Sequence, residues 1–87
     1  MKAVKATVSR LLKTARGQID GILKMVEEDR YCMEISNQVM ATEAILRRCN
    51  KEILKAHMKG CVQAAISSES GEEKIDELVD LIDKLTK

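Results

Sequence analysis

His57 and Cys61 stand four residues apart in a stretch without proline. That spacing puts both side chains on one face of a helix, one turn apart, as a chelating pair requires. An imidazole nitrogen and a thiolate sulfur suit thiophilic metals. The pair alone is a weak signal, because a solitary helical His is usually a surface or core residue and a solitary Cys usually a small buried hydrophobe. Cys32 offers a third soft donor, 25 residues before His57. Along one continuous helix that separation is about 37 Å, against ligand bonds of roughly 2.0–2.3 Å. The three therefore cannot meet within one chain. Two copies of the helix running antiparallel bring Cys32 of one copy beside His57 and Cys61 of the other, and the two-fold axis generates two such sites. Two thiolates and one imidazole form a three-coordinate set that suits Cu(I) better than Zn(II), which takes four ligands in structural sites. Protons compete for the same lone pairs, so occupancy should fall at low pH.

The elements that must position these residues are helical. From Lys2 to about Glu28, apolar residues such as Val4, Val8, Leu11, Ala15, Ile19, Ile22 and Val26 recur at spacings of three and four, one stripe of a helix. Gly17 and Gly21 each cost that helix about 1 kcal/mol relative to Ala, and their spacing of four suggests close approach of another helix. Glu27, Glu28 and Asp29 form a short acidic break, with Asp29 placed to be the N-cap of a second helix. That helix is predicted from near Arg30 to about Ser67, roughly 55 Å long. Such a helix is longer than one small domain needs, so part of its surface should pack on another chain. Ser67, Ser68, Glu69, Ser70 and Gly71 read as a polar turn. Glu72 to Thr86 carries Ile75, Leu78, Val79, Ile82 and Leu85 as a third amphipathic helix. No repeat or second domain is visible, so residues 1–87 read as one all-α domain of three helices.

Composition agrees with that class. The 87 residues contain no Phe, Trp or Pro, and Tyr31 is the lone aromatic. The core must then come from Leu, Ile, Val, Met and Ala, as in helix-helix packing. A domain this small buries only about 60% of its unfolded surface by itself, which favours oligomerisation. No apolar run approaches the roughly 20 residues of a membrane span, and Met1 to Arg10 lacks the apolar core of a signal peptide. A cytoplasmic protein without a membrane partner is expected, and its three cysteines read as reduced thiols rather than a disulfide framework. The net charge of +1 hides an asymmetry: residues 1–24 carry six Lys/Arg against one Asp, and residues 69–87 seven acids against three Lys. A basic amino-terminal helix offers a face to polyanions. Arg10, Lys13 and Arg16 in the first helix, with Arg47, Arg48 and Lys51 in the second, could line it for phosphate contacts. There is no helix-turn-helix or zinc-finger signature. An enzyme is disfavoured, since no nucleophile-base-orienter set exists beyond the same Cys and His, and no phosphate loop.

Arg16-Gly17-Gln18-Ile19-Asp20-Gly21-Ile22, Tyr31-Cys32 and His57-x-x-x-Cys61 together resemble the copper-sensing CsoR family of bacterial repressors, over nearly the whole chain. The resemblance implies a three-helix protomer that forms antiparallel dimers and then homotetramers. It implies Cys32 as the ligand given across the dimer interface and His57 and Cys61 as the pair from the opposing chain. It further implies Tyr31 and Glu77 as residues that hydrogen-bond the imidazole, fixing its tautomer and transmitting ligation to the helices. Operator DNA is the implied partner, met through a flat basic face to which Lys13, Arg16 and Arg48 correspond. Metal and DNA then favour different arrangements of one bundle, so Cu(I) binding releases the operator and copper-resistance genes are transcribed. Some positions depart from the family pattern: Leu11 stands where an arginine is common, with Arg10 beside it, and Thr14 where many members are basic. Residues 1–10 offer no His or Cys, unlike the nickel/cobalt branch, which recruits an amino-terminal donor. The alternative on the same scaffold is a persulfide- or electrophile-sensing repressor using Cys32 and Cys61, although persulfide sensors lack the His. Cys49 falls outside the ligand pattern and reads as a packed hydrophobe, with a redox role alongside Cys32 or Cys61 left open.

Overall fold

In the computed structural model of the chain, three helices succeed one another: α1 (Lys5–Glu27), α2 (Cys32–Ser67) and α3 (Gly71–Thr86). The structure describes residues 1–67 and 71–86, without the side chains of residues 65, 67, 71, 72, 74, 85 and 86. Among the described residues there is no strand, and the all-α three-helix protomer expected from periodicity is the fold observed. Most of the polar turn expected at Ser67, Ser68, Glu69, Ser70 and Gly71 lies outside the described residues, as does the side chain of Leu85. No described helix is long and apolar enough to cross a membrane.

The chain divides into two compact units, Lys5–Asn50 and Met1–Val4 with Lys51–Lys87. In the first, α1 and the leading half of α2 form a helical hairpin. Val8, Leu11 and Ala15 of α1 are buried, as are Thr42 and Cys49 of α2, while Ile22, Ile35 and Ile45 are half-buried. Spacings of three, four and seven put each set on one helix face. Thr42 is the polar member of this seam: its hydroxyl lies 2.9 Å from Gln18 Oε1 and 3.1 Å from the Gln38 carbonyl. Cys49 is 3% exposed, in keeping with its reading as a packed hydrophobe.

The connection between α1 and α2 corrects the role expected of Asp29. Its N–H donates to the Val26 carbonyl at 3.1 Å, and the Arg30 N–H to the Met25 carbonyl at 3.0 Å. This is the bond pattern of a helix C-terminus closed through a left-handed residue, and Asp29 has φ 52°. Asp29 therefore ends α1, in a place that glycine usually fills, and does not cap α2. The residue before α2 is Tyr31, whose carbonyl accepts the N–H groups of Glu34 and Ile35. Lys24 in the last turn of α1 and Glu34 in the first turn of α2 both complement the helix dipoles. Arg30 pairs with Glu34 at 3.0 Å, and both side chains are about half exposed.

Gly17 and Gly21 do not serve a close approach within the chain. No other part of it among the described residues comes within 4 Å of where either Cβ would stand. Apolar side chains are exposed along both units, including Leu12, Ile19, Leu23 and Val26 on α1 and Ile75, Val79 and Ile82 on α3. The second unit buries Cys61 and Leu81.

Candidate metal centre

Within the second unit, α2 presents His57 and Cys61 from successive turns and α3 presents Glu77. One donor atom from each of these three residues lies within 4.8 Å of the other two. Cys61 is 5% exposed, whereas His57 and Glu77 are half-buried. His57 Nε2 lies 2.5 Å from Glu77 Oε1. An ionised carboxylate can only accept, so Nε2 carries the proton and donates it, which leaves the Nδ1 lone pair of the neutral ring available to a metal. Holding the far nitrogen on a carboxylate is how metal-binding imidazoles are commonly oriented. One ring nitrogen of His57 and the sulfur of Cys61 lie within 4.8 Å of each other, a soft pair beside the harder carboxylate of Glu77.

The spacing argument found His57 and Cys61, and the family resemblance added Glu77. Cys32 and Tyr31 lie at the start of α2 in the first unit, and both are exposed. None of Cys32, Cys49 and Cys61 is joined in a disulfide. Arg10, Lys13, Arg16, Arg47, Arg48 and Lys51 are all exposed. Arg10 and Lys13 line an open groove along α1 with Ala6, Ser9 and Thr14, and Arg47 lies 4.0 Å from the Glu43 carboxylate. Sequence reasoning missed Lys2 and Gly60, which line a small cleft with His57, Cys61 and Ala64. A glycine inside a helix, between two donor residues, was the available signal.

The sequence profile of the metal-sensitive transcriptional repressors matches residues 4–84. The chain belongs to this family. Members are regulators of transcription rather than enzymes, and two kinds of relative locate the chain among them. The copper-sensing transcriptional repressor CsoR of Mycobacterium ulcerans is 41% identical over 78 residues, which are 90% of this chain and 66% of that protein, so the chain spans just under two thirds of the relative's length. Among solved structures, the copper-sensing repressor CsoR with Cu(I) from Geobacillus thermodenitrificans NG80-2 superposes with a TM-score of 0.82 at 37% identity, covering 100% of this chain and 94% of that one. The nickel-responsive transcriptional regulator InrS superposes with a TM-score of 0.86 at 29% identity, covering 98% and 96%. The two solved structures share this fold although one is named for copper and the other for nickel, so the fold alone does not choose the metal.

Proposed function

We propose that the chain is a Cu(I)-responsive repressor that binds operator DNA without metal and releases it when Cu(I) binds, so that copper-resistance genes are transcribed. The observation that carries this reading is the buried Cys61 sulfur beside an imidazole whose far nitrogen is tied to Glu77. This donor chemistry fits a soft ion. Ni(II) favours tetragonal sites with more donors, and residues 1–10 supply no His or Cys. The two copper-sensing relatives, more identical to the chain than the nickel-responsive one, support the same choice.

In this reading His57 and Cys61 hold the ion with Cys32 of a second copy, whose exposed position at the head of α2 suits donation to another chain. Exposed apolar residues on α1 and α3 suit the pairing of copies into dimers and tetramers. Residues 1–87 act as one metal-sensing, DNA-binding domain in the cytoplasm. Arg10, Lys13, Arg16, Arg47, Arg48 and Lys51 contact DNA phosphates. Tyr31 and Glu77 orient the imidazole, and Glu77 links ligation on α2 to the position of α3. A persulfide sensor needs only two thiols, and an imidazole locked by a carboxylate would have no evident part in it.

The test is an anaerobic titration of reduced protein with Cu(I) against a strong chelator, with DNA binding followed by fluorescence anisotropy. One tightly bound Cu(I) per chain, lost in Cys32→Ala and His57→Ala and accompanied by DNA release, is the expected result. Weak binding indifferent to both substitutions would overturn the reading.

A further inference from the structure

The aliphatic stem of Lys2 lies along α2 at Gly60. A Cβ placed on Gly60 would stand 3.4 Å from Lys2 Cε, 3.7 Å from Cδ and 3.9 Å from Cγ. Glycine here costs the helix about 1 kcal/mol relative to alanine; a Cβ would only touch the lysine stem at ordinary van der Waals distance, whereas a longer side chain would take its place. Lys2, Gly60 and Ala64 surround a cleft of about 130 Å³ whose remaining lining is His57 and Cys61. At about 30 Å³ per water, the cleft takes a molecule of a few heavy atoms. Among the described residues, Lys2 is the one lysine, arginine or carboxylate side chain in that lining. Glu77 holds Nε2 of the same imidazole without lining the cleft. The space therefore has a cation at one part of its wall and two soft donors at another.

We propose that this cleft is a docking site for small anionic thiols, with the carboxylate of the ligand paired to Lys2 and its sulfur presented to Cys61 and His57. The ligand is of mercaptoacetate size, or the thiol end of a larger carboxylate-bearing thiol. The use of such a site rests on the copper-sensing reading. Soft metals travel bound to small thiols, and exchange here would join Cys61 to the metal while its proton passes to the departing thiol. The docking chemistry itself requires no metal.

Alkylation of the reduced, metal-free protein tests this, with each cysteine followed by peptide mass spectrometry. Iodoacetate carries the carboxylate that Lys2 should attract, and iodoacetamide is its neutral twin. The iodoacetate-to-iodoacetamide rate ratio should be higher at Cys61 than at exposed Cys32, and lower by about threefold to tenfold in Lys2→Met at low salt. Lys2→Arg should retain the preference, and about 1 M salt should abolish it. Gly60→Leu, which fills the seat of the lysine, should behave as Lys2→Met does. Should that variant not fold, the two Lys2 variants decide the matter. An unchanged ratio in folded Lys2→Met, or a Cys61 unreactive to both reagents, overturns the proposal. Failure of the copper reading would show separately, as weak Cu(I) binding with the alkylation preference intact.

Discussion

Replacing Glu77 by alanine should separate metal binding from DNA release. The substitution removes the hydrogen bond from His57 Nε2 to the Glu77 carboxylate at 2.5 Å, between side chains that are 43% and 41% exposed. Hydrogen bonds to charged groups contribute about 1.5–3 kcal/mol when well shielded. Solvent at this half-open site reduces that to about 1 kcal/mol of folding stability. Loss of the partner that orients a metal-binding imidazole typically weakens the metal by about 10- to 100-fold, so a site held by Cys32, His57 and Cys61 should still fill at excess Cu(I). What should vanish is the link from the imidazole to α3. Saturating Cu(I) should weaken DNA binding of the unaltered protein by about 5- to 150-fold, the usual size of such couplings. In Glu77→Ala the ratio should approach one. Anisotropy of labelled operator DNA, with and without saturating Cu(I), measures both ratios on one protein preparation. Glu77→Gln keeps an acceptor without the charge and should recover part of the release. Full release in Glu77→Ala at saturation would refute the claim that this hydrogen bond carries the signal.

Three more outcomes are expected from other parts of the molecule. Asp29→Gly should stabilise the chain by roughly 0.5–1 kcal/mol, because glycine occupies the left-handed position without strain and removes an acid from the negative end of α1; thermal unfolding midpoints measure it. Thr42→Val should cost about 1–3 kcal/mol in urea unfolding by leaving Gln18 without its partner across the seam, and Gln18→Leu in the same chain should recover part of that loss. Lys13→Ala should reduce the slope of log DNA affinity against log salt by about one, whichever operator is used, since a phosphate contact carries no base preference.

Helix type and order were legible because periods of three and four persist over long stretches of this sequence. Which apolar residues are buried was not. On α1 the single stripe predicted by spacing divides in the structure: Val8, Leu11 and Ala15 face the hairpin seam, while Leu12, Ile19, Leu23 and Val26 are exposed. A helix with two adjacent apolar stripes has the same spacings as a helix with one broad stripe, and only the number of partners tells them apart. Asp29 was misread for a related reason. An acidic residue between two helices can cap the second or end the first, and the sign of φ decides it. At the candidate site, the four-residue spacing of His57 and Cys61 was enough to pair them. Glu77 lies on another helix, where no local pattern marks one acid among several. The seat of Lys2 on Gly60 joins residues distant in sequence and has no periodic signature.

If Cys32 comes from a second copy, the metal site and the assembly form one equilibrium, and that dependence can be isolated with two defective chains. The aliphatic side chains Leu12, Ile19, Leu23 and Val26 on α1 are about half exposed, so each forgoes about 1 kcal/mol while it faces water, against a total stability of about 5–15 kcal/mol for a typical domain, and pairing and folding should be coupled. Cys32→Ala and His57→Ala chains should each bind Cu(I) weakly, because neither can complete a site with its own kind. Co-refolded in equal amounts, about half of the dimers are mixed, and each mixed dimer combines intact Cys32 of one chain with intact His57 and Cys61 of the other at one of its two sites. About a quarter of the normal tight Cu(I) capacity should therefore return on mixing, and none if the chains are mixed without exchange. A site built within one chain would show no recovery, and neither would two copies paired so that each Cys32 faces its own counterpart.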